Sequence, residues 1–477
     1  MSVDLSSLNR ASITAEHLQI SGSLHDFLFG AVAEFVDNAR DAKAVTLHID
    51  YNNGQLSFLD DGCGMKREEV LSIISFGSSS KSVDPDMIGR YGNGLKSGAM
   101  RLGKDFILFT KKEGLMTCML LSATFIEEHN FKEVIVPIPS FLENRHPYYE
   151  SMHQVQKHEL EMQIICHYSP FHNECELLSQ FSRIATDTGT LVVCYNLRCT
   201  ENGVYEMDFA TDTSDIRLTN CFPQREEEKN SLRAYLSVLY INPRMRIFLR
   251  GDKVETKRII STLYMPLMYR HQVKNPKICT QREFEKYEQK KVEFFSSLVV
   301  NHVAQCKSQI ENFELTYPDY ITNSRLHVHH QKLLKEMEDA EKVLAKTETG
   351  AKELQKLKSD PIPLIFYFGF NIHCRDCYGC MLYSNGRLVR MYEKLAVHKE
   401  KKNNSKRCLG VVGIADIPYS FLEPTHNKQS FVNKREYTNI LKALNDYLVQ
   451  YWTDVAIETV DGGIECFWYD LFGKIVL

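Results

Sequence analysis

Charge of one sign is what this 477-residue sequence most lacks: 57 Lys and Arg stand against 61 Asp and Glu, a formal net charge of -4 with a pI near 6.5. A chain so balanced has no global attraction for nucleic acid, so any such contact must come from local basic patches. Long apolar runs are missing too. No window approaches about eighteen uninterrupted apolar residues, and the opening MSVDLSSLNRASITAEHL has neither a basic n-region nor an apolar h-region. These absences argue against a membrane-spanning or secreted protein. The fourteen cysteines show no short framework of paired spacings, and Cys118, Cys166 and Cys194 lie in apolar runs. Reduced thiols in a soluble intracellular protein are the expectation. Cys374, Cys377 and Cys380, with His373, form one metal-like cluster in HCRDCYGC, but a second cysteine pair is missing. The cluster therefore reads as a turn between two strand-like runs, YFGFNI and MLYSNGRLVRMY. What is present, 43% hydrophobic and 25% charged residues, is ordinary globular composition with room for two or three domains.

In GSLHDFLFGAVAEFVDNARDA, Ser23 is placed to cap a helix whose apolar positions Leu24, Phe27, Leu28, Ala31, Val32 and Phe35 recur at three- and four-residue spacing. Its other face stacks Glu34, Asn38 and Asp41 into one polar stripe. VTLHIDY and QLSFLDD follow, joined by the turn signal Asn52-Asn53-Gly54, which predicts a hairpin ending near Asp60. A polar lid-like run from Phe76 to Gly94 precedes a helix expected near Leu95. From about 105 to 265, the segments DFILFTKK, MTCMLL, EVIVPIP, TLVVCYNL, AYLSVLYI and RIFLRG read as strands and short helices, several of them alternating like half-buried strands. Residues 281–358 are Glu/Lys-rich and almost free of glycine, interrupted at Pro318, which predicts an antiparallel helical hairpin or coiled coil. Strands return in LIFYFGFNI, RLVRMYEK and CLGVVGIADI, before a long helix through EYTNILKALNDYLVQYW. Between these strands His398 to Arg407 is a basic loop, read first as solvated, with phosphate contact or a nuclear-import signal as the alternative.

Binding a nucleoside triphosphate requires an adenine reader, a magnesium ligand, donors for phosphates and, for hydrolysis, a base for water. Asn38 offers a neutral oxygen suited to a magnesium ion already held by phosphates and water. Glu34, one turn earlier, is placed to polarise the attacking water. Asp60, followed by Gly62, Gly64 and Met65 in DDGCGM, is an acceptor where the backbone can approach a flat base. Gly92 and Gly94, just before Leu95, present N–H groups and a helix N-terminus to phosphate oxygens, with Lys96 adding charge. Each piece alone is common in proteins. Their order, ExxxNARDA, DDGCGM, IGRYGNGLKSG and then GTLVV at Gly189 and Thr190, makes the set specific.

At these residues the chain resembles the GHKL superfamily, named for gyrase, the Hsp90 chaperones, histidine kinases and MutL. The runs SSLNRA, HDFLFGAVAEFVDNARDA, IGRYGNGLKSGAMRLGKDFILFTKKE, HYSPF, PRMRIF and EPTHNKQSF are similar to the microrchidia (MORC) family across nearly the whole chain. The resemblance implies an α+β fold, a Bergerat α/β sandwich over residues 1–265, followed by a transducer-like α/β domain over 266–477 with a coiled-coil arm, 281–358, inserted in it. It implies ATP and Mg2+ as cofactors, Glu34 as general base, Asn38 as the Mg2+ ligand and Asp60 as the adenine contact. The phosphate-binding lid end would run from Gly89 through Tyr91, Asn93 and Leu95 to Ser97. Asp41, Met65 and Thr190 would complete the nucleotide contacts, with Ser79 and Lys81 in the lid. Lys428, in THNKQ, would be the transducer lysine that reaches the γ-phosphate. An ATP-gated homodimeric clamp on double-stranded DNA and chromatin, with silencing co-factors, in the nucleus, is the implied output.

Two departures stand out. His17 occupies the place where close relatives set a tyrosine near the nucleotide, and the tryptophan- and cysteine-rich histone-reading module of the family does not occur within these residues. A nucleotide-sensing scaffold without significant turnover is the competing function, with Glu34 counting against it. Phosphotransfer through His302, His327, His329 or His330 is disfavoured because the arm follows the ATP site, and no cleavage-tyrosine domain of a topoisomerase is recognisable.

Overall fold

The computed structural model describes residues 8–14, 25–74, 88, 94–149, 154–220, 226–273, 362–399, 408–419 and 421–455, with scattered positions between 304 and 341. The chain divides into two compact units: residues 1–270 with 365–477, and residues 271–364.

The main sheet of the larger unit is built from β1 (Thr46–Asn52), β2 (Gln55–Asp60), β3 (Gly103–Lys112), β4 (Leu115–Ser122), β5 (Ser140–Leu142), β6 (Gly189–Leu197), β7 (Arg246–Leu249) and β8 (Asp252–Lys253). Among the described residues these eight form one sheet in the order β8-β7-β1-β2-β6-β3-β4-β5. Only the β7–β1 pair is parallel; the other described ladders are antiparallel, so the sheet is mixed. The β1–β2 hairpin turns at Asn53 and Gly54, whose φ of 49° and 77° are the left-handed values that the Asn-Gly signal supplies.

Helices α1 (Leu28–Asp41), α2 (Arg67–Ile74) and α3 (Gly94–Leu102) precede and follow the segment outside the described residues. Val32, Phe35, Val36 and Ala39 of α1 pack with Ile49, Phe58, Phe106 and Leu108 of the sheet, Phe35 stacking on Phe58 at 4.0 Å between centroids. The alternate residues Ile107, Phe109, Leu191 and Val193 face a second core with Ile165, Phe171 and Phe181 from the helices Gln154–Tyr168 and Glu174–Phe181. Both faces of the central strands are thus covered, which is why these strands read as near-continuous apolar runs.

A second sheet is built from β9 (Tyr264–Val273), β10 (Ile362–Phe370), β11 (Gly379–Ser384), β12 (Arg387–Glu393) and β13 (Val411–Ile417), in the order β9-β10-β13-β11-β12. The long helix Lys434–Asp454, capped by Asn433, buries Ile440, Leu444, Leu448, Tyr451 and Trp452, and its Tyr447 and Tyr451 meet Phe366, Phe368 and Phe370 of β10. Helices with mixed sheets make this an α+β fold. In the smaller unit Lys307 pairs with Glu341 at 3.1 Å and Glu314 accepts from His330 at 2.8 Å. No helix among the described residues is long and apolar enough to cross a membrane.

Two local readings are corrected and one is resolved. Most of AYLSVLYI belongs to a short helix, α4 (Leu232–Val238), which Ser231 caps by accepting from Ala234 N and which buries Leu232, Tyr235 and Leu236. Helix α1 starts at Leu28 behind Phe27, which makes no side-chain cap; Ser23 lies outside the described residues. Cys374 and Cys377 are joined as a disulfide rather than held as free thiols. Asn371 explains their approach, since its Oδ1 accepts from His373 N and Cys374 N while its Nδ2 donates to Cys377 O. That turn sets the two Cα atoms 5.3 Å apart, within disulfide reach. Cys380 is buried on β11, and among the described residues no group of three or more His, Cys, Asp or Glu is placed to hold a metal ion.

Candidate nucleotide site

The polar stripe of α1 opens the site. Glu34 is 2% exposed, although it is a carboxylate on a helix whose flanks are apolar, and Asn38 one turn later is half-buried. The first residue of α3 lies against Glu34: a Cβ built on Gly94 would collide with Glu34 Oε2. A side chain at this position would push the Glu34 carboxylate aside, so glycine lets the N-terminus of α3 approach it closely. Leu95 is half-buried against the core, and Ser97 Oγ donates to Gly94 O at 3.3 Å. Lys96 is directed elsewhere: its Nζ donates to Ile73 O at the end of α2 at 2.6 Å, and burial pulls its pKa down to about 8.

Asp60 ends β2, and its Oδ1 accepts from Gly62 N at 2.9 Å. Its neighbour Asp61 is structural, accepting from Val45 N, Thr46 N and Thr46 Oγ1. Across the sheet Asp60 pairs with Thr190 and Thr190 with Thr110, so three polar residues stand in a row on one face. Gly64, at φ 60°, fits against Lys111 O where a side chain could not, and Met65 N donates to Thr110 Oγ1 at 2.8 Å. Asp41 accepts from Ile88 N at 3.0 Å, tying the end of α1 to the one residue described between positions 75 and 93. Ser79, Lys81, Gly89, Tyr91, Gly92 and Asn93 lie outside the described residues, as does His17.

The second sheet delivers the remaining charge. Thr425 to Ser430 form a self-bonded turn: Lys428 N donates to Thr425 O, Gln429 N to Asn427 Oδ1 and Ser430 N to Thr425 Oγ1. The turn holds Lys428 at φ 51°, a conformation costing on the order of 1 kcal/mol for a non-glycine residue. From it Lys428 Nζ donates to both oxygens of Glu34, at 2.8 and 2.7 Å, and reaches Asp37 Oδ2 at 3.1 Å. Asp37 Oδ2 is also 3.3 Å from Arg387 Nε of β12, and Asp37 Oδ1 accepts from Tyr240 OH at 2.6 Å. Burial pushes the Glu34 carboxyl up and Lys428 offsets only part of that. Burial opposes ionisation of Asp37 as well, but Arg387 and Lys428 outweigh it and hold its carboxyl low. For Lys428, burial is outweighed by Glu34 and Asp37, so its ammonium is held above the usual lysine range.

Gln429 completes the joint. Its Oε1 accepts from Phe27 N and its Nε2 donates to Phe27 O, so a residue 402 positions away serves the start of α1 in place of a local cap. The same Nε2 faces His25 Nδ1 at 3.4 Å, which makes Nδ1 an acceptor and leaves His25 Nε2 to donate to Ser97 Oγ at 3.3 Å. His25 is buried, and that burial, followed by Lys428, Arg387 and Arg101, lowers its pKa to about 4. The unfolded chain takes up a proton as pH falls through about 6.5 while folded His25 does not until about 4. Stability should therefore fall on acidification across that window, by up to about 3 kcal/mol from this group. Urea unfolding at several pH values should show a shallower acid slope for His25→Gln than for the native chain; equal slopes would remove His25 from the account.

Sequence reasoning did not single out Asp37, Arg387, Tyr240, His25, Gln429 or Thr110. Thr110 could have been noticed as a lone polar residue inside DFILFTKK. The others carry no local signal, because the partners that tie them into the site lie 41 to 404 residues away.

Comparison with known proteins agrees with this geometry in two steps. Residues 25–161, which hold α1, α3 and strands β1 to β5, match the family described as histidine kinase-, DNA gyrase B-, and HSP90-like ATPase, so the chain contains a GHKL-type ATPase domain. Residues 230–300 and 320–452 match the Morc6 ribosomal protein S5 domain 2-like family. The chain belongs to the MORC family. It is 42% identical over 485 residues to ATPase MORC2 of Homo sapiens, covering 98% of this chain and 45% of that protein. It is 39% identical to MORC family CW-type zinc finger protein 1 of Mus musculus, over 97% of this chain and 47% of the relative. ATPase morc-1 of Caenorhabditis elegans is 31% identical over 94% of this chain and 52% of its own length. The chain thus spans about half the length of the curated relatives it matches.

Proposed function

We propose that this chain binds ATP with Mg2+ and hydrolyses it, using the nucleotide to close two copies into a clamp on double-stranded DNA in chromatin. The observation that carries the reading is the reach of Lys428 from the second sheet to Glu34 on α1. A cation delivered by one domain to the carboxylate of another is a contact that an anionic ligand can rearrange. Glu34 accepts a proton from the attacking water as its oxygen bonds to the γ-phosphorus, and the bond to the β,γ-bridging oxygen breaks to release ADP. Lys428 offsets charge on the γ-phosphate oxygens. The α3 N-terminus at Gly94 faces the phosphates, and Asp60, with Thr190 beside it, takes the adenine amino group. The donor set fits the metal: half-buried Asn38 offers one neutral oxygen one turn after Glu34 on α1, as suits an ion that keeps most ligands from phosphate and water. When bound, Mg2+ would neutralise phosphate charge.

The domain division follows the same reading: an ATPase domain over 1–265, a transducer-like domain over 266–477, and a coiled-coil arm over 281–358. Support for an antiparallel arm comes from Lys307–Glu341 and Glu314–His330, whose numbers run in opposite directions. A nuclear location, silencing co-factors and a role in gene silencing belong to this proposal. The Glu34–Lys428 ion pair favours one competing reading, a nucleotide-sensing scaffold in which Lys428 keeps the base occupied.

Molecular mass by light scattering, with and without Mg2+ and a non-hydrolysable ATP analogue, tests the clamp. The expected result is a monomer that doubles in mass only with nucleotide. Unchanged mass alongside measurable phosphate release would remove the clamp and keep the ATPase.

A further inference from the structure

The cluster around Lys428 contains four buried charges whose signs alternate: Arg387, Asp37, Lys428, Glu34. Their side chains are 0–6% exposed, and their formal charges sum to zero. The two carboxylates are not equivalent. Glu34 is held in this cluster by Lys428 through both oxygens. Asp37 is fixed from three sides: Tyr240 OH on Oδ1 at 2.6 Å, with Arg387 Nε at 3.3 Å and Lys428 Nζ at 3.1 Å from Oδ2.

The groups fixing Asp37 come from one joint. Tyr240 and Arg387 form a β-bridge, Leu388 N donates to Leu239 O at 2.9 Å, Ile241 N donates to Gly386 O at 2.9 Å, and Tyr383 OH donates to Val238 O at 2.9 Å. The segment after α4 is thereby stitched to the β11–β12 hairpin, and Asp37 sits where that seam meets α1. Arg387 also donates through Nη1 to Lys428 O at 3.3 Å, so one guanidinium touches both the anchor and the backbone of the lysine.

We propose that Asp37 is the positioning residue of the site, a fixed anchor on which Lys428 pivots between Glu34 and an anionic oxygen of the bound triphosphate, with Arg387 as the counter-charge that keeps the anchor in place. The inference rests on reading Glu34 and Lys428 as the hydrolytic pair. Asp37 itself touches no reacting atom. With the anchor, Lys428 leaves Glu34 without leaving the site, and Glu34 becomes free to take a proton. Without it, Glu34 is the sole carboxylate left for Lys428 in the cluster, and the base stays occupied.

Steady-state kinetics on the full chain test this. Asp37→Asn keeps the volume and a partner for Tyr240, and should lower kcat at least about tenfold while KM for ATP stays within about threefold. Arg387→Met should act in the same direction, and Arg387→Lys, which keeps the charge, should restore most of kcat. The double variant Asp37→Asn with Arg387→Met returns the cluster to zero net charge, so its thermal midpoint should recover toward the native value while kcat stays low. A double variant that recovers kcat together with its midpoint, or a folded Asp37→Asn variant with native kcat, would overturn the proposal by making the pair structural. If Asp37→Asn does not fold, the neutral double variant carries the same test. Glu34→Gln is measured alongside: native turnover there overturns the reading of the site and this inference with it, whereas a silent Glu34→Gln beside an active Asp37→Asn overturns the inference alone.

Discussion

Lys428→Met should abolish ATP hydrolysis and cost about 3–5 kcal/mol of stability, the scale for removing one partner of a buried ion pair. Methionine fills the space but leaves Glu34 and Asp37 with Arg387 as their one remaining cation in the cluster. Asp37 keeps its contacts with Arg387 and Tyr240, so the uncompensated charge falls on Glu34, whose carboxyl burial already pushes up. The sign of the pH dependence follows. A carboxyl with a raised folded pKa binds its proton more tightly in the folded chain, so stability declines as pH rises from the unfolded to the folded pKa. The variant should lie nearer the native chain in acid than at pH 8, and urea unfolding at the two ends would measure it. Native stability at both ends, with phosphate still released, would show that Lys428 is not the partner that Glu34 needs.

Glu34→Gln should lower turnover by about 10²–10⁴, the usual contribution of a general base, while ATP affinity is kept or improved. Glutamine preserves the shape facing Gly94 and removes one negative charge from beside the phosphates. Single-turnover phosphate release and titration with a fluorescent ATP analogue separate chemistry from binding. A variant that binds and turns over normally would take the role of base from Glu34; one that binds without turnover should accumulate as the nucleotide-bound dimer.

Much of this was legible in the sequence wherever one residue's meaning depends on near neighbours. Asn53-Gly54 announced the β1–β2 turn, since few residues accept positive φ there. The spacing of Glu34 and Asn38 placed both on one stripe of α1 because a helix repeats every three to four residues. AYLSVLYI stayed open between strand and short helix for the complementary reason: a short apolar run has the same composition in either, and the Ser231 cap marks the helix. The Cys374–Cys377 pairing hinged on Asn371, whose side-chain bonds shape the turn but leave no period to count.

The sequence by itself thus determined the class of chemistry, through short motifs whose order and spacing encode a helix face, a glycine-bordered acid and a helix N-terminus. The tertiary structure decided which charges meet. Lys428 lies 394 residues from Glu34 and Arg387 lies 350 from Asp37, separations at which local periodicity carries no information. They are brought together because the hairpin of the second sheet pairs with the segment after α4, and because a charge buried in that seam is tolerated only where an opposite one is already in place.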